Sequence, residues 1–309
     1  MATATTFEAA PAAEAPPDGG RSPWGDAFRR LLRNRLAFAG LLVVLSIVVL
    51  AAAAPLVAPH DPNAQSCATA GALSGPSSEH PLGTDNVCRD VLSRLVYGAR
   101  VSLTVGIVTQ LVVLVIALPL GALAALSTRL VDNLLMRFTD LTYAFPDLLM
   151  IILLSRVLAG ADIPGGSVAV IILAISLVGW TTVARLVRGQ MLALRDREFV
   201  LAAESMGASR RRIAMTHLLP NSLGPVIVTL TFAVPAAIFA ESALSFIGLG
   251  VTPPTATWGG MVDDGYAAIY SRPMLVVWPS LAIAVTMMAF TFIGDGLRDA
   301  LDPRATRRL

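Results

Sequence analysis

Apolar residues run in long uninterrupted stretches along this 309-residue chain, and polar residues collect between them. A helix needs roughly 20 apolar residues to cross the hydrocarbon core of a bilayer. The stretches 36–54, 101–126, 167–184, 223–249 and 274–294 meet or approach that length, the fifth-listed carrying no charge and 223–249 carrying only Glu241. The stretch 134–158 is weaker, because Arg137, Asp140 and Asp147 interrupt it. Six spans are therefore predicted, with Pro119, Pro146 and Pro235 as single kinks. In the third span, Arg137 is expected to pair with Asp140, and Asp140 and Asp147 to share one face.

Arginine placement orients the spans. With the N-terminus inside, the inner side receives Arg29, Arg30, Arg33, Arg129, Arg185, Arg188, Arg195, Arg210, Arg211, Arg212 and the arginines of the C-terminal tail. The outer side receives Arg89, Arg94, Arg100, Arg156 and Arg272. Both termini are expected in the cytoplasm of a multi-pass protein of the bacterial plasma membrane.

The expected organisation is a disordered tail over 1–34, a first transmembrane helix over 35–58, an outer loop over 59–99, a core over 100–298 and a tail over 299–309. The Ala- and Pro-rich start lacks the apolar region of a signal peptide.

One polar stretch breaks the membrane pattern. Residues 190–221 form an inner loop whose part from Asp196 to Pro220 reads as two short helices. Asp196 is the expected N-cap, Gly207 the left-handed break, Ser209 the second cap and Pro220 the stop. Phe199, Val200, Ala203 and Met206 make an apolar face, and Ala202 and Ala203 allow close approach. Such a hairpin either lies on lipid headgroups or docks in a partner's groove.

Composition narrows the classes. The chain is 55% hydrophobic and 14% charged, whereas soluble domains carry about 25% charged residues. A net charge of +2 is too small to argue for nucleic acid. Lysine is absent and no histidine lies in a span, which disfavours an intramembrane enzyme. There is no GxxxxGK[ST] phosphate loop, so no ATPase activity is expected of this chain. A self-contained secondary transporter would show broken helices and related halves, and neither is read here.

Three separated segments carry a resemblance. Ala202-Ala203, Gly207 and Leu219-Pro220 resemble the "EAA" loop of bacterial ABC-importer permeases, with Leu201 where that family has Glu and His217 where it has Ile. His80-Pro-Leu-Gly-Thr-Asp85, Arg89-Asp90, Ser93-Arg94 and Gly98-Ala-Arg100 resemble the entry segment of dipeptide/oligopeptide permeases, read as an amphipathic helix with an Asp90–Arg94 pair. Glu241 to Gly250 with Pro253, Pro254, Trp258 and Gly259 resembles a third signature of the same family.

The resemblance implies an all-α type I importer permease, one of two homologous permease subunits in a heterodimer. It implies two cytoplasmic ATPase subunits that hold ATP and Mg, an extracytoplasmic substrate-binding protein, and no cofactor on this chain. Leu201, Ala202, Ala203, Glu204, Gly207, Leu219 and Pro220 would form the ATPase-coupling loop. The cargo would be di- or oligopeptides, with a nickel chelate or glutathione as alternatives. Asp147 and Glu241 are the candidates for lining the translocation path and meeting a peptide's amine.

The two cysteines, Cys67 and Cys88, fall in the same outer loop, where the compartment tolerates disulfides. Cys88 also stands where the family has Gly. A disulfide is expected, with two free thiols as the alternative. No metal site is expected: two cysteines are too few for zinc, and His217 lies across the membrane from His60 and His80.

Overall fold

The computed structural model describes residues 23–301. Among these the regular structure is helical, and one isolated bridge, Thr84 with Asp90, is the only strand-like pairing. Helix α1 covers Pro23–Arg33, inside the segment 1–34 expected as a tail. Its apolar positions Ala27 and Leu31 stand one turn apart and pack on Ala37 and Ala300, while Arg29 and Arg30 face out. This burial gives 23–33 a reason to order that composition alone concealed. Residues 1–22 and 302–309 lie outside the described residues.

Asn34 begins helix α2 (Arg35–Ala52) by accepting the amide protons of Leu36 at 3.1 Å and Ala37 at 3.3 Å. A short helix, α3 (Ala54–Val57), follows. Helix α4 (Val91–Leu126) then runs for 36 residues straight through Pro119. The expected amphipathic entry helix is thus the first turns of this long helix, so the loop expected over 59–99 ends at 90.

The third span is where the structure departs most from a single kink. Helix α5 (Arg129–Tyr143) and helix α6 (Asp147–Ala159) meet at 94° across Ala144, Phe145 and Pro146. Pro146 holds extended backbone as the N-cap of α6, and a proline biases the residue before it away from helical angles. Long-range partners complete the bend. On helix α7 (Gly166–Arg195), Arg188 donates from Nε to Asp132 at 2.5 Å, and Arg185 approaches Asp140 at 3.7 Å and stacks over Tyr143. Asp140 therefore pairs with Arg185 and not with Arg137, and the break removes Asp140 and Asp147 from a common face.

The chain continues through helices α8 (Glu198–Ser205) and α9 (Arg210–Ile213), a π-helical segment Ala214–Leu218, and helix α10 (Leu219–Phe246). Helix α11 (Trp258–Tyr266) lies in the loop that follows, and helix α12 (Met274–Leu301) closes the bundle. Among the described residues, five helical stretches are long and apolar enough to cross a membrane, or six if the bent pair is counted as one.

Helix α4 packs along α7 and against α10. Between apolar spans the lipid offers no hydrophobic gain, so close backbone approach and hydrogen bonds carry the association. At Gly121 a Cβ would stand 2.5 Å from the Ala184 carbonyl oxygen, so only glycine lets the two helices touch there. Ser176 on α7 sits at the same interface, 3.3 Å from the Thr109 carbonyl oxygen. Trp258 is buried beside Gly98 and donates from its indole nitrogen to the Leu95 carbonyl at 3.0 Å, tying α11 to the start of α4.

Candidate functional site

The hairpin from Glu198 to Leu218 is built on a division of faces. Val200 and Ala203 of α8 are buried and share a cluster with Met191, Ile213, Ala214 and Leu218. Leu201 and Ala202 are exposed on the far side of α8, and Phe199 and Met206 are exposed at the margin of the buried face, Met206 by 82%. Of the two alanines, Ala203 therefore anchors the hairpin to its own chain and Ala202 is free to meet another surface. Glu198 and Glu204 are also exposed, Glu204 at the edge of a 270 Å³ cavity that Arg129, Arg195 and Arg210 share.

The turn is closed by backbone geometry. Gly207 has φ +81°, and its N–H donates to the Glu204 carbonyl at 2.9 Å. The Ala208 N–H donates to the Ala203 carbonyl at 3.0 Å. These two bonds form the helix-ending motif that requires a left-handed residue. Ser209 then caps α9 through its hydroxyl oxygen, which accepts from the Arg212 amide at 3.4 Å.

Two expected boundaries move. Asp196 ends α7, and Arg197 is the N-cap position of α8 without a side-chain bond. Pro220 does not stop a helix: Arg210–Phe246 is one continuous rod of 37 residues. The π segment just before Pro220 shifts the hydrogen-bond register, so the missing N–H of Pro220 falls in the first turn of α10, where proline is tolerated. The His217 carbonyl accepts from the Asn221 side-chain amide at 2.6 Å. His217 itself packs near Phe199, with ring centroids 6.1 Å apart. Leu219 is half-buried and Pro220 exposed.

Asp147 and Glu241 occupy different surroundings. Asp147 opens α6 and lines a cavity of about 380 Å³ together with Gln110, Thr109, Thr229 and Phe239. Asp147 is exposed, and among the described residues no cation lies within ion-pair distance of it. The cavity is mostly apolar, and the buried Thr109 hydroxyl beside it has no partner among the described residues. Glu241 is fully buried and does not line this cavity. Its carboxylate accepts from Ser245 at 2.8 Å and lies 3.5 Å from the hydroxyls of Ser102 and Ser242. Ser102 accepts in turn from the Trp258 amide at 3.3 Å. Glu241 therefore joins α10 to α4 and, through Ser102, to α11.

The other end of the bundle carries a charge network that local spacing hid. Arg89 donates to Asp85 at 2.7 Å and to Asp264 at 2.8 Å, and Arg94 donates to Asp264 at 3.1 Å. Asp90 does not pair with Arg94. It is the N-cap of α4, accepting from the Ser93 amide at 2.7 Å and contacting His80 Nδ1 at 2.9 Å. Asp264 lies 170 residues from Arg94, and no motif marked it. In the same loop Cys67 and Cys88 form a disulfide, with Cα atoms 5.1 Å apart.

Comparison with known proteins agrees with this architecture. The family model for binding-protein-dependent transport system inner membrane components matches residues 117–307, and that for the N-terminal transmembrane domain of oligopeptide transport permease C matches 22–76. The chain is 44% identical to the dipeptide transport system permease protein DppC of Bacillus subtilis, over 91% of this chain and 86% of the relative. It is 40% identical to the oligopeptide transport system permease protein OppC of the same organism, over 92% and 90%. It is 38% identical to the glutathione transport system permease protein GsiD of Pectobacterium atrosepticum, over 92% of both. A chain from inward-facing structures of the MetNI methionine ABC transporter superposes with a TM-score of 0.56 at 18% identity, covering 68% of this chain and 96% of that one. The six apolar segments, the hairpin and these matches together place the chain in the family of binding-protein-dependent transport system inner membrane components, as a multi-span permease subunit of an ABC importer and not a catalytic subunit.

Proposed function

We propose that this permease forms half of a translocation path for di- or oligopeptides and is driven through its 196–220 hairpin by cytoplasmic ATPase subunits. The observation that carries this reading is the hairpin's two faces. Val200 and Ala203 lock it into the bundle, while Leu201, Ala202 and Met206 remain outside on a short helix suited to a groove. Force applied to that exposed face passes along the Arg210–Phe246 rod into the membrane. Gly207 sets the shape of the element, and Leu219 and Pro220 begin its connection to α10.

The partners are a second homologous permease, two ATPases that bind ATP and Mg, and an extracytoplasmic binding protein that delivers cargo. Both termini and the hairpin face the cytoplasm, following the arginine asymmetry. ATP binding closes the ATPases, moves the hairpin and alternates access to the path. The mostly apolar cavity with one carboxylate, Asp147, suits a peptide with a charged amine and apolar side chains. The names of the relatives support peptide cargo, and the glutathione permease among them keeps a modified peptide within the same class.

The test is co-purification followed by transport. The tagged chain should bring down a second permease and ATPases, and vesicles holding the complex and its binding protein should accumulate labelled dipeptide only with ATP. The chain alone should show no ATPase activity. Purification without any ATPase partner, or ATP-independent accumulation, would overturn the reading.

A further inference from the structure

Histidines 60 and 80 are far apart from any recognised ligand spacing in sequence, yet folding brings them together at the root of the loop that precedes α4. Their rings stack with centroids 4.5 Å apart. Asp90, buried at the cap of α4, completes the group: its Oδ2 is held by the Ser93 amide at 2.7 Å, and its Oδ1 faces His80 Nδ1 at 2.9 Å. One ligand atom from each of His60, His80 and Asp90 lies within 4.8 Å of the others. His60 Nδ1 is buried and has no hydrogen-bond partner among the described residues. A buried nitrogen of this kind is costly to leave without a partner.

We propose that His60, His80 and Asp90 form a zinc site that clamps the outer loop onto the first turn of α4. Two imidazoles and a carboxylate are a borderline nitrogen and oxygen donor set, which suits Zn²⁺ with water as the fourth ligand. Mg²⁺ and Ca²⁺ prefer all-oxygen shells, so the set discriminates against them. Zinc takes the place of the proton between His80 Nδ1 and Asp90 Oδ1 and satisfies the orphaned nitrogen of His60. Tetrahedral ligands stand about 3.4 Å apart, so the His60 ring must turn inward slightly to close the set. The backbone N–H of His60 already donates to the Ser93 hydroxyl at 3.1 Å, which fixes its segment beside the site. Thiolate does not compete, because Cys67 and Cys88 are bonded to each other.

The site holds together three points of sequence, the start of the loop, its middle and the helix cap, and does not depend on the peptide reading. The experiment is calorimetric titration of the full-length oxidised chain, purified in detergent without a histidine tag, using ZnCl₂ and, in parallel, MgCl₂. The expected result is saturable binding of one Zn²⁺ per chain, with a rise in Tm, and no response to Mg²⁺. His60→Phe keeps the ring stack but removes the ligand nitrogen. It should stay monodisperse, bind Zn²⁺ at least tenfold more weakly and lose the Tm rise. His217→Asn, at the opposite end of the bundle, should bind as the parent does. No Zn²⁺ binding by the parent chain, or a loss below tenfold in His60→Phe, overturns the proposal.

Discussion

Arg94 in the first turn of α4 donates to Asp264 in α11 at 3.1 Å, across 170 residues of sequence. Arg89 reaches the same carboxylate oxygen at 2.8 Å, so Asp264 serves two guanidinium groups at once. Removing it leaves two largely buried arginines to share Asp85. Asp264→Ala should therefore destabilise the loop end by about 1–3 kcal/mol, more than an exposed ion pair would. Thermal unfolding in detergent checks this. An unchanged midpoint would show that water replaces the carboxylate without cost.

The Cys67–Cys88 bridge closes a loop with a sequence separation of 21. In the chain-entropy account a loop of this length is worth about 3 kcal/mol. Thiol labelling of the denatured chain should be low until reductant is added, and Cys67→Ser with Cys88→Ser should lower the unfolding midpoint. Equal labelling in both conditions would mean that the thiols are free in the mature protein.

Gly207 separates a geometric requirement from a chemical one. Its Cβ position is open space, so any penalty comes from φ +81° and not from crowding. Gly207→Ala should cost about 1–2 kcal/mol locally and leave transport largely intact. Gly207→Pro cannot adopt that angle and also deletes the N–H bonded to Glu204. It should insert in the membrane normally, yet leave partner ATP hydrolysis uncoupled from uptake. Normal uptake by the proline variant would argue that the hairpin carries no force.

The two membrane carboxylates should behave oppositely. Glu241→Gln keeps the shape of a side chain enclosed by three serine hydroxyls, and is expected to leave uptake near normal. Glu241→Leu strips an acceptor from those hydroxyls and should cost about 1–3 kcal/mol of stability. Asp147→Asn should leave stability unchanged and raise the KM for peptides with a free amine, relative to N-acetylated ones. Equal KM values for both peptide types before and after substitution would remove Asp147 from cargo recognition.

Much of this was legible in the apolar pattern. The spans, the break at Gly207 and the cap at Ser209 all follow from local rules that the structure obeys. The misreadings share a cause: local spacing competed with distant partners. Asp140 has Arg137 three residues away but meets Arg185 of α7 instead. Asp90 has Arg94 at helical spacing, but its carboxylate is already taken by the Ser93 amide and by His80. Pro146 announced a disturbance, but the 94° turn goes with contacts to α7 on both sides of it: Asp132 and Asp140 on α5, and Ile151 on α6. Tertiary contacts of this kind leave no periodic trace. Glu241 was conspicuous as a lone charge, yet Ser102, one of its hydroxyl neighbours, comes from α4, 139 residues away.

The π segment Ala214–Leu218 has a consequence for how the hairpin is aimed. A π turn accommodates one residue more than an α turn, and each α-helical residue rotates the chain by about 100°. The wider turn takes up that residue, so Arg210–Ile213 and the span beyond Leu219 keep nearly the phase of a regular helix. Shortening Ala214–Leu218 by one should therefore leave an unbroken α-helix with the hairpin aimed much as it is now. Removing a further residue would turn the leading end by roughly 100°, and Met206 and Ala202 would then point along a different bearing from the one a partner surface is cut for.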